Sequence, residues 1–217
     1  MISLAWICWN LLLAFIPVAT AWLLVRLADR GGWRHSRAGL VGLGAIGLVW
    51  LAFLPNSCYL LAEWRHFLYD PFFKISREVV IPGTPQELRI IKHFLFFAAY
   101  SGFGVACFAL AIRPVERLIR RCGISPGLWA VPFFVAVSLG VYMGLIVRLN
   151  SWDLVVRPGY VLAVAGYALS NATLLGVVVA FGGFLWIMYR VVDIWLDGLS
   201  ARLSSVALIR RDAGQSL

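Results

Sequence analysis

Long apolar runs separated by short polar islands set the pattern of this chain. About 20 apolar residues cross the hydrocarbon core of a bilayer, and five segments meet that length: Leu4 to Val25, Ala38 to Ala62, Phe94 to Ile112, Gly123 to Val147, and a last one within Tyr160 to Tyr189. The pattern predicts an all-α integral membrane bundle of about five transmembrane helices, one domain over residues 1–189. The last run is longer than a span requires. Either residues 160–167 lie along the interface before Ser170 and Asn171 lead into a span over 168–189, or the run is one strongly tilted helix. In the tail, residues 190–217, Val192, Trp195, Leu196, Leu199, Leu203 and Val206 stand at helical spacing against Asp193, Asp197, Arg202 and Ser205. That is the pattern of an amphipathic helix on a membrane surface, and a solvated tail fits it as well.

Punctuation within the pattern is informative at two places. Pro82-Gly83 reads as a turn, and Thr84-Pro85-Gln86-Glu87 after it as a capping box with proline at the first helical position, so the third helix is expected to start near Pro85, before the membrane. Small residues four apart allow helices to pack closely in lipid. They recur as Ala98, Gly102 and Ala106 on the third run, Ala136, Gly140 and Gly144 on the fourth, and Ala172, Gly176 and Ala180 on the fifth, and each face is expected to touch a neighbour.

Charge adds an orientation. The loops Arg26 to Arg37 and Arg113 to Cys122 and the tail carry dense arginine, whereas basic residues in the other loops are spread among acids. The positive-inside rule then places the amino terminus outside and the carboxyl terminus in the cytoplasm. With 62% hydrophobic and 13% charged residues in 217, the chain lacks the polar surface of a soluble domain, and the clustering of its +9 net charge argues against a nucleic-acid partner. Cys8, Cys58, Cys107 and Cys122 show no metal-ligand spacing. Residues 1–25 hold no charge, so Ala19-Thr20-Ala21 is a poor cleavage site and the first run reads as a retained helix.

Candidate chemistry concentrates in two islands on the side expected to face outwards. After Pro55, which suits a kink or a helix start, Asn56, Tyr59, Glu63, His66 and Asp70 follow at alternating steps of three and four, one polar face of a helix rising from the bilayer. In the second island Arg148 continues the four-residue spacing of Gly140 and Gly144, which points it at a neighbouring helix, where a guanidinium needs an anion. Glu63, Asp70, Asp153 or a bound phosphate or carboxylate would serve. Asn150, Ser151, Trp152 and Asp153 complete the island, and an ordinary turn stabilised by Asx side chains fits the same residues. The four asparagines, Asn10, Asn56, Asn150 and Asn171, all fall in the outer half and are able to form one hydrogen-bonded cluster.

Trp9-Asn10-Leu11, Leu54-Pro55-Asn56 with Tyr59-Leu60-Leu61, Glu63 and His66, and then Arg148 with Asn150-Ser151-Trp152-Asp153 resemble the signature of an uncharacterised family of bacterial membrane proteins, the domain of unknown function thirteen-sixty-one. The resemblance covers most of the chain, implies a bacterial inner-membrane location, and supplies no activity. The family pattern carries aspartate where this chain has Glu63, a second arginine at Leu145 and tryptophan at Leu149.

Two functions follow as expectations. In the absence of a recognised nucleotide loop or nucleophile motif, the first is an accessory subunit or assembly partner that meets a membrane protein, or a second copy of itself, through the small-residue faces. The alternative is an enzyme or binding protein for a lipid-linked or periplasmic anionic substrate, with Glu63 or Asp153 as base, His66 as proton carrier and Arg148 holding the anion. A transporter ranks behind both, because the middles of the helices lack ionisable residues. No cofactor is expected. A pigment, haem or metal at His66 and His93 is a remote option, since Glu63 and His66 make only one incomplete helical ligand pair.

Overall fold

In the computed structural model, residues 4–30, 32–33, 36–62 and 85–215 are described, with backbone alone at 62, 86, 126 and 206–215. Among these residues there is no strand. The helices are α1 (Leu4–Asp29), α2 (Arg37–Ala62), α3 (Pro85–Arg121), α4 (Pro126–Leu145), α5 (Asp153–Val156), α6 (Pro158–Ser170) and α7 (Ala172–Gln215). Five of them, α1, α2, α3, α4 and α7, are long and apolar enough to cross a membrane. At 13 residues, α6 reaches only roughly 20 Å at 1.5 Å per residue, too short to span.

Successive spans run in opposite directions. α1 packs on α2 and α3, α2 also packs on α3 and α4, and α4 packs on α7, which touches α3. Lipid gives little drive for helices to associate, so close fit and interhelical hydrogen bonds hold such a bundle. Buried serines supply the bonds: Ser57 Oγ donates to Ala14 O (3.2 Å), Ser101 Oγ to Leu60 O (3.2 Å) and Ser138 Oγ to Val178 O (2.7 Å). Trp50 Nε1 donates to Ala111 O at 3.0 Å while its ring stacks on Phe133, tying α2, α3 and α4 together in the core.

The small-residue faces divide. On α4, Pro55 Cγ lies 2.6 Å from where a Cβ at Gly140 would fall, and the Tyr59 hydroxyl occupies the place of a Cβ at Gly144, so this face meets α2 as expected. On α3 and α7 the expectation fails. Gly102, Ala106, Ala172, Gly176 and Ala180 are exposed, and no neighbouring atom within 4 Å would meet a Cβ at Gly102 or Gly176. The buried faces carry Ser101, Gly104 and Phe108 on α3, and Val178 and Leu185 on α7. Small residues are welcome against lipid and against helices alike, which is why spacing alone misassigns them.

α3 is helical from Pro85, where the described residues resume, in keeping with an expected start near Pro85; Thr84, the cap of the expected capping box, lies outside the described residues. The far end of α3 departs from expectation, because the stretch after Arg113 continues the helix to Arg121 instead of forming a loop. Val115, Leu118 and Ile119 belong to the core or pack against it, and that burial extends the helix through the expected loop. The long last run resolves into two helices. Asn171 leaves helical geometry (φ −88, ψ 112), and its Oδ1 accepts from the N–H groups of Thr173 and Leu174, both at 3.1 Å, capping α7. α7 then runs unbroken into the tail.

Candidate functional site

At the end of the bundle where α2 and α4 finish, the second island folds back over the helix ends. α4 stops at Leu145, and the Leu149 N–H returns to Met143 O at 3.0 Å. The turn sets Arg148 at φ +64, the only non-glycine with positive φ among the described residues. Counting by fours from Gly144 assumed a continuing helix. Arg148 is therefore not on the α4 face. It is exposed, and it has no ion-pair partner among the described residues.

Ser151 fastens the island to α2. Its hydroxyl donates to Ala52 O at 3.0 Å and accepts from Asn56 Nδ2 at 3.1 Å. Asn56 is buried, and this bond gives one N–H of its amide a partner that burial would otherwise deny it. Tyr59 Oη donates to Gly140 O at 3.3 Å. Asp153 is buried at the start of α5 and takes the backbone N–H of Asn150 at 2.7 Å, an Asx-type brace for the turn. That bond ties up one oxygen of the carboxylate.

A cavity of about 300 Å³ lies among these groups, lined by Trp6, Trp9, Asn10, Asn56, Arg148 and Trp152 with their neighbours. Asn10 Nδ2 is buried there with no hydrogen-bond partner. A second cavity, of about 250 Å³ and mostly apolar, runs between α2 and α4 past Leu51, Pro55, Met143 and Leu154. The two share Tyr59, Gly144, Leu149, Asn150 and Ser151 as walls. A polar, tryptophan-rimmed chamber thus adjoins an oily one.

Of the expected site residues, the fold gathers Asn56, Tyr59, Arg148, Asn150 and Trp152 around the first cavity and places Asp153 behind it as a support. Glu63, His66 and Asp70 lie outside the described residues. Asn10, Asn56 and Asn150 line the same cavity, but among the described residues no hydrogen bond joins them: Asn56 bonds Ser151, the Asn150 N–H bonds Asp153, Asn10 Nδ2 has no partner, and Asn171 caps α7. His93 is exposed, with Nδ1 at 2.9 Å from Arg89 O of its own helix. Among the described residues no three metal-ligating side chains cluster.

Sequence reasoning missed a charged cluster at the opposite end. Glu116, buried on α3, is gripped by Arg120 (2.5 Å) and by the hydroxyl of buried Tyr189 on α7. Arg113 pairs with Asp193 at 3.0 Å and also with Asp197, and Arg190 lies 3.4 Å from Asp193. A cavity of about 290 Å³ borders this cluster. The available signal was the Glu116–Arg120 pair, four apart between Val115, Leu118 and Ile119, which marks a helix with one buried face.

Residues 9–188 match the model of the family described as Protein of unknown function (DUF1361). No curated protein and no solved structure matches the chain.

Proposed function

The chain belongs to the DUF1361 family, and on that footing we propose that it is a membrane protein that binds an amphipathic, anionic, lipid-linked molecule at the end of the bundle carrying Arg148. One observation carries this reading. Arg148 is held in a left-handed conformation that costs a residue with a Cβ about 1–2 kcal/mol, its guanidinium lacks an ion partner among the described residues, and it borders a polar cavity that adjoins an apolar one. Backbone strain beside a charge that has no ion partner among the described residues is a feature binding sites share. An anionic head at Arg148, with the amide of Asn10 as a further donor, and a hydrocarbon chain along Pro55 and Met143 would use both chambers. Binding alone is proposed: Asp153, one of the two candidate bases, braces the turn, and Glu63, the other, lies outside the described residues.

The reading carries the expected setting with it, an inner-membrane protein of a bacterium with this site facing outwards. The test is mass spectrometry of the lipids retained after extraction in mild detergent. Wild type keeps one more anionic lipid per chain than Arg148→Gln, at unchanged protein yield. Equal retention by both proteins ends the proposal.

An accessory role has its own support in the exposed small-residue stripes of α3 and α7, which no helix of this chain covers among the described residues. A partner seated there would co-purify with wild type and be lost from a Gly102→Leu, Gly176→Leu double variant. Recovery of wild type from native membranes as a lone monomer would refute that role.

A further inference from the structure

The charged cluster at the other end borders a cavity that the outer site does not explain. Its walls include Glu116, Arg120, Trp129, Tyr189 and Arg190, with Gly127 at the start of α4. Donor and acceptor accounting shows what is left unfilled. Both carboxylate oxygens of Glu116 are used, Oε1 by Arg120 and Oε2 by the Tyr189 hydroxyl. Arg120 spends Nε and Nη2 on that oxygen and keeps the rest of its five N–H groups. Arg190 makes one long hydrogen bond, from Nη1 to Asp193 at 3.4 Å, and stands 3.9 Å from Glu116. Trp129 Nε1, a group able only to donate, is buried without a partner. The few hydrogen-bonding groups at this cavity are therefore mostly donors, set in walls that are otherwise apolar.

Charge and backbone point the same way. Across the network, Arg113, Arg117, Arg120 and Arg190 face Glu116, Asp193 and Asp197, four cations against three anions. The Ser125 side chain does not cap α4, and the cavity reaches the first turn of this helix at Gly127, where the dipole is positive. Arg120 and Arg190 are about half and two-fifths exposed, at 47% and 39%, so a ligand can reach their guanidinium groups from outside.

We infer that this cavity is a second binding site, for a phosphate group, held by Arg190, Arg120 and the indole N–H of Trp129. The phosphate has two sources, the headgroup of an anionic glycerophospholipid in the adjoining leaflet or a soluble phosphate compound. The arginine-rich end is the one expected to face the cytoplasm, where anionic lipid and basic pockets between helices meet.

The experiment follows the indole N–H resonances of the full chain, labelled with nitrogen-15, in phosphatidylcholine bicelles. The Trp129 signal is the one missing from Trp129→Phe, which keeps a ring beside Phe133 and Phe134. Adding phosphatidylglycerol moves that signal saturably, and in Arg190→Gln the midpoint rises about tenfold, the loss of one charge-assisted hydrogen bond. Movement with inorganic phosphate but not with phosphatidylglycerol supports the site and assigns it to a soluble ligand. A Trp129 signal that responds to neither, or a midpoint unchanged in Arg190→Gln, overturns the inference. Should Trp129→Phe fail to fold, phosphatidylglycerol retained per chain by native mass spectrometry, wild type against Arg190→Gln, gives the same decision. Arg148→Gln leaves this site untouched, so the two sites stand or fall separately.

Discussion

Replacing Gly144 by alanine sets two effects of opposite sign against each other. Alanine is the better helix former by about 1 kcal/mol, so in open space the substitution would stabilise. At this position the new methyl group would occupy the place of the Tyr59 hydroxyl, and the ring carbon bearing that hydroxyl is also too close. Overpacking of this kind costs about 1–3 kcal/mol. Tyr59 would also give up its 3.3 Å bond to Gly140 O, worth about 1 kcal/mol. The clash wins, and we expect a net loss of about 1–3 kcal/mol in SDS unfolding titrations from mixed micelles followed by tryptophan fluorescence. With leucine at 59 the obstruction is gone. Gly144→Ala should then be neutral or gain up to about 1 kcal/mol, giving a coupling of about 2 kcal/mol between the positions. Gly176→Ala, where a Cβ meets nothing within 4 Å, is the control and should gain stability. A neutral or stabilising Gly144→Ala in the wild-type background, or a coupling below about 0.5 kcal/mol, refutes the α2–α4 contact.

Three further outcomes follow from the same geometry. Arg148→Gly relieves a left-handed backbone, so it should keep or raise stability by up to about 1 kcal/mol while weakening anion binding; a loss above that amount would mean the arginine is a structural tie. Ser151→Ala strands the buried amide of Asn56 and should cost about 1–2 kcal/mol by SDS titration, and an unchanged midpoint would show that Asn56 finds another partner. Glu116→Ala leaves the buried Tyr189 hydroxyl without its acceptor and releases the half-exposed Arg120, and should cost about 1–3 kcal/mol, measured the same way; a loss below about 0.5 kcal/mol would show that the cluster is peripheral to the α3–α7 contact.

The parts of this fold legible in the sequence are those set by one dimension of the chain. Apolar run length marked the five spans, and Pro85 falls at the first described residue of α3, because span length and proline act locally; the break at Asn171 is one of two readings of the last run, and its cap decides between them. What depended on a partner was not legible. Gly104, not Gly102, faces the Ser57 carbonyl and the Leu60 side chain, and only the neighbouring helix decides between them. Arg148 was misplaced because a periodic count carries no information about where a helix stops. Glu116 stood among arginines that read as a solvated loop, and its burial comes from Tyr189, 73 residues later.

The central claim is that Arg148 recognises an anion on a lipid. The direct measurement is a titration of the purified protein with a long-chain isoprenyl monophosphate and, separately, with the corresponding uncharged alcohol, in wild type and Arg148→Gln, by native mass spectrometry. The account expects the phosphate to bind wild type at least about tenfold more tightly than the alcohol, and that preference to vanish in Arg148→Gln. Equal affinity of wild type for the two lipids, or a preference that survives the substitution, would contradict it.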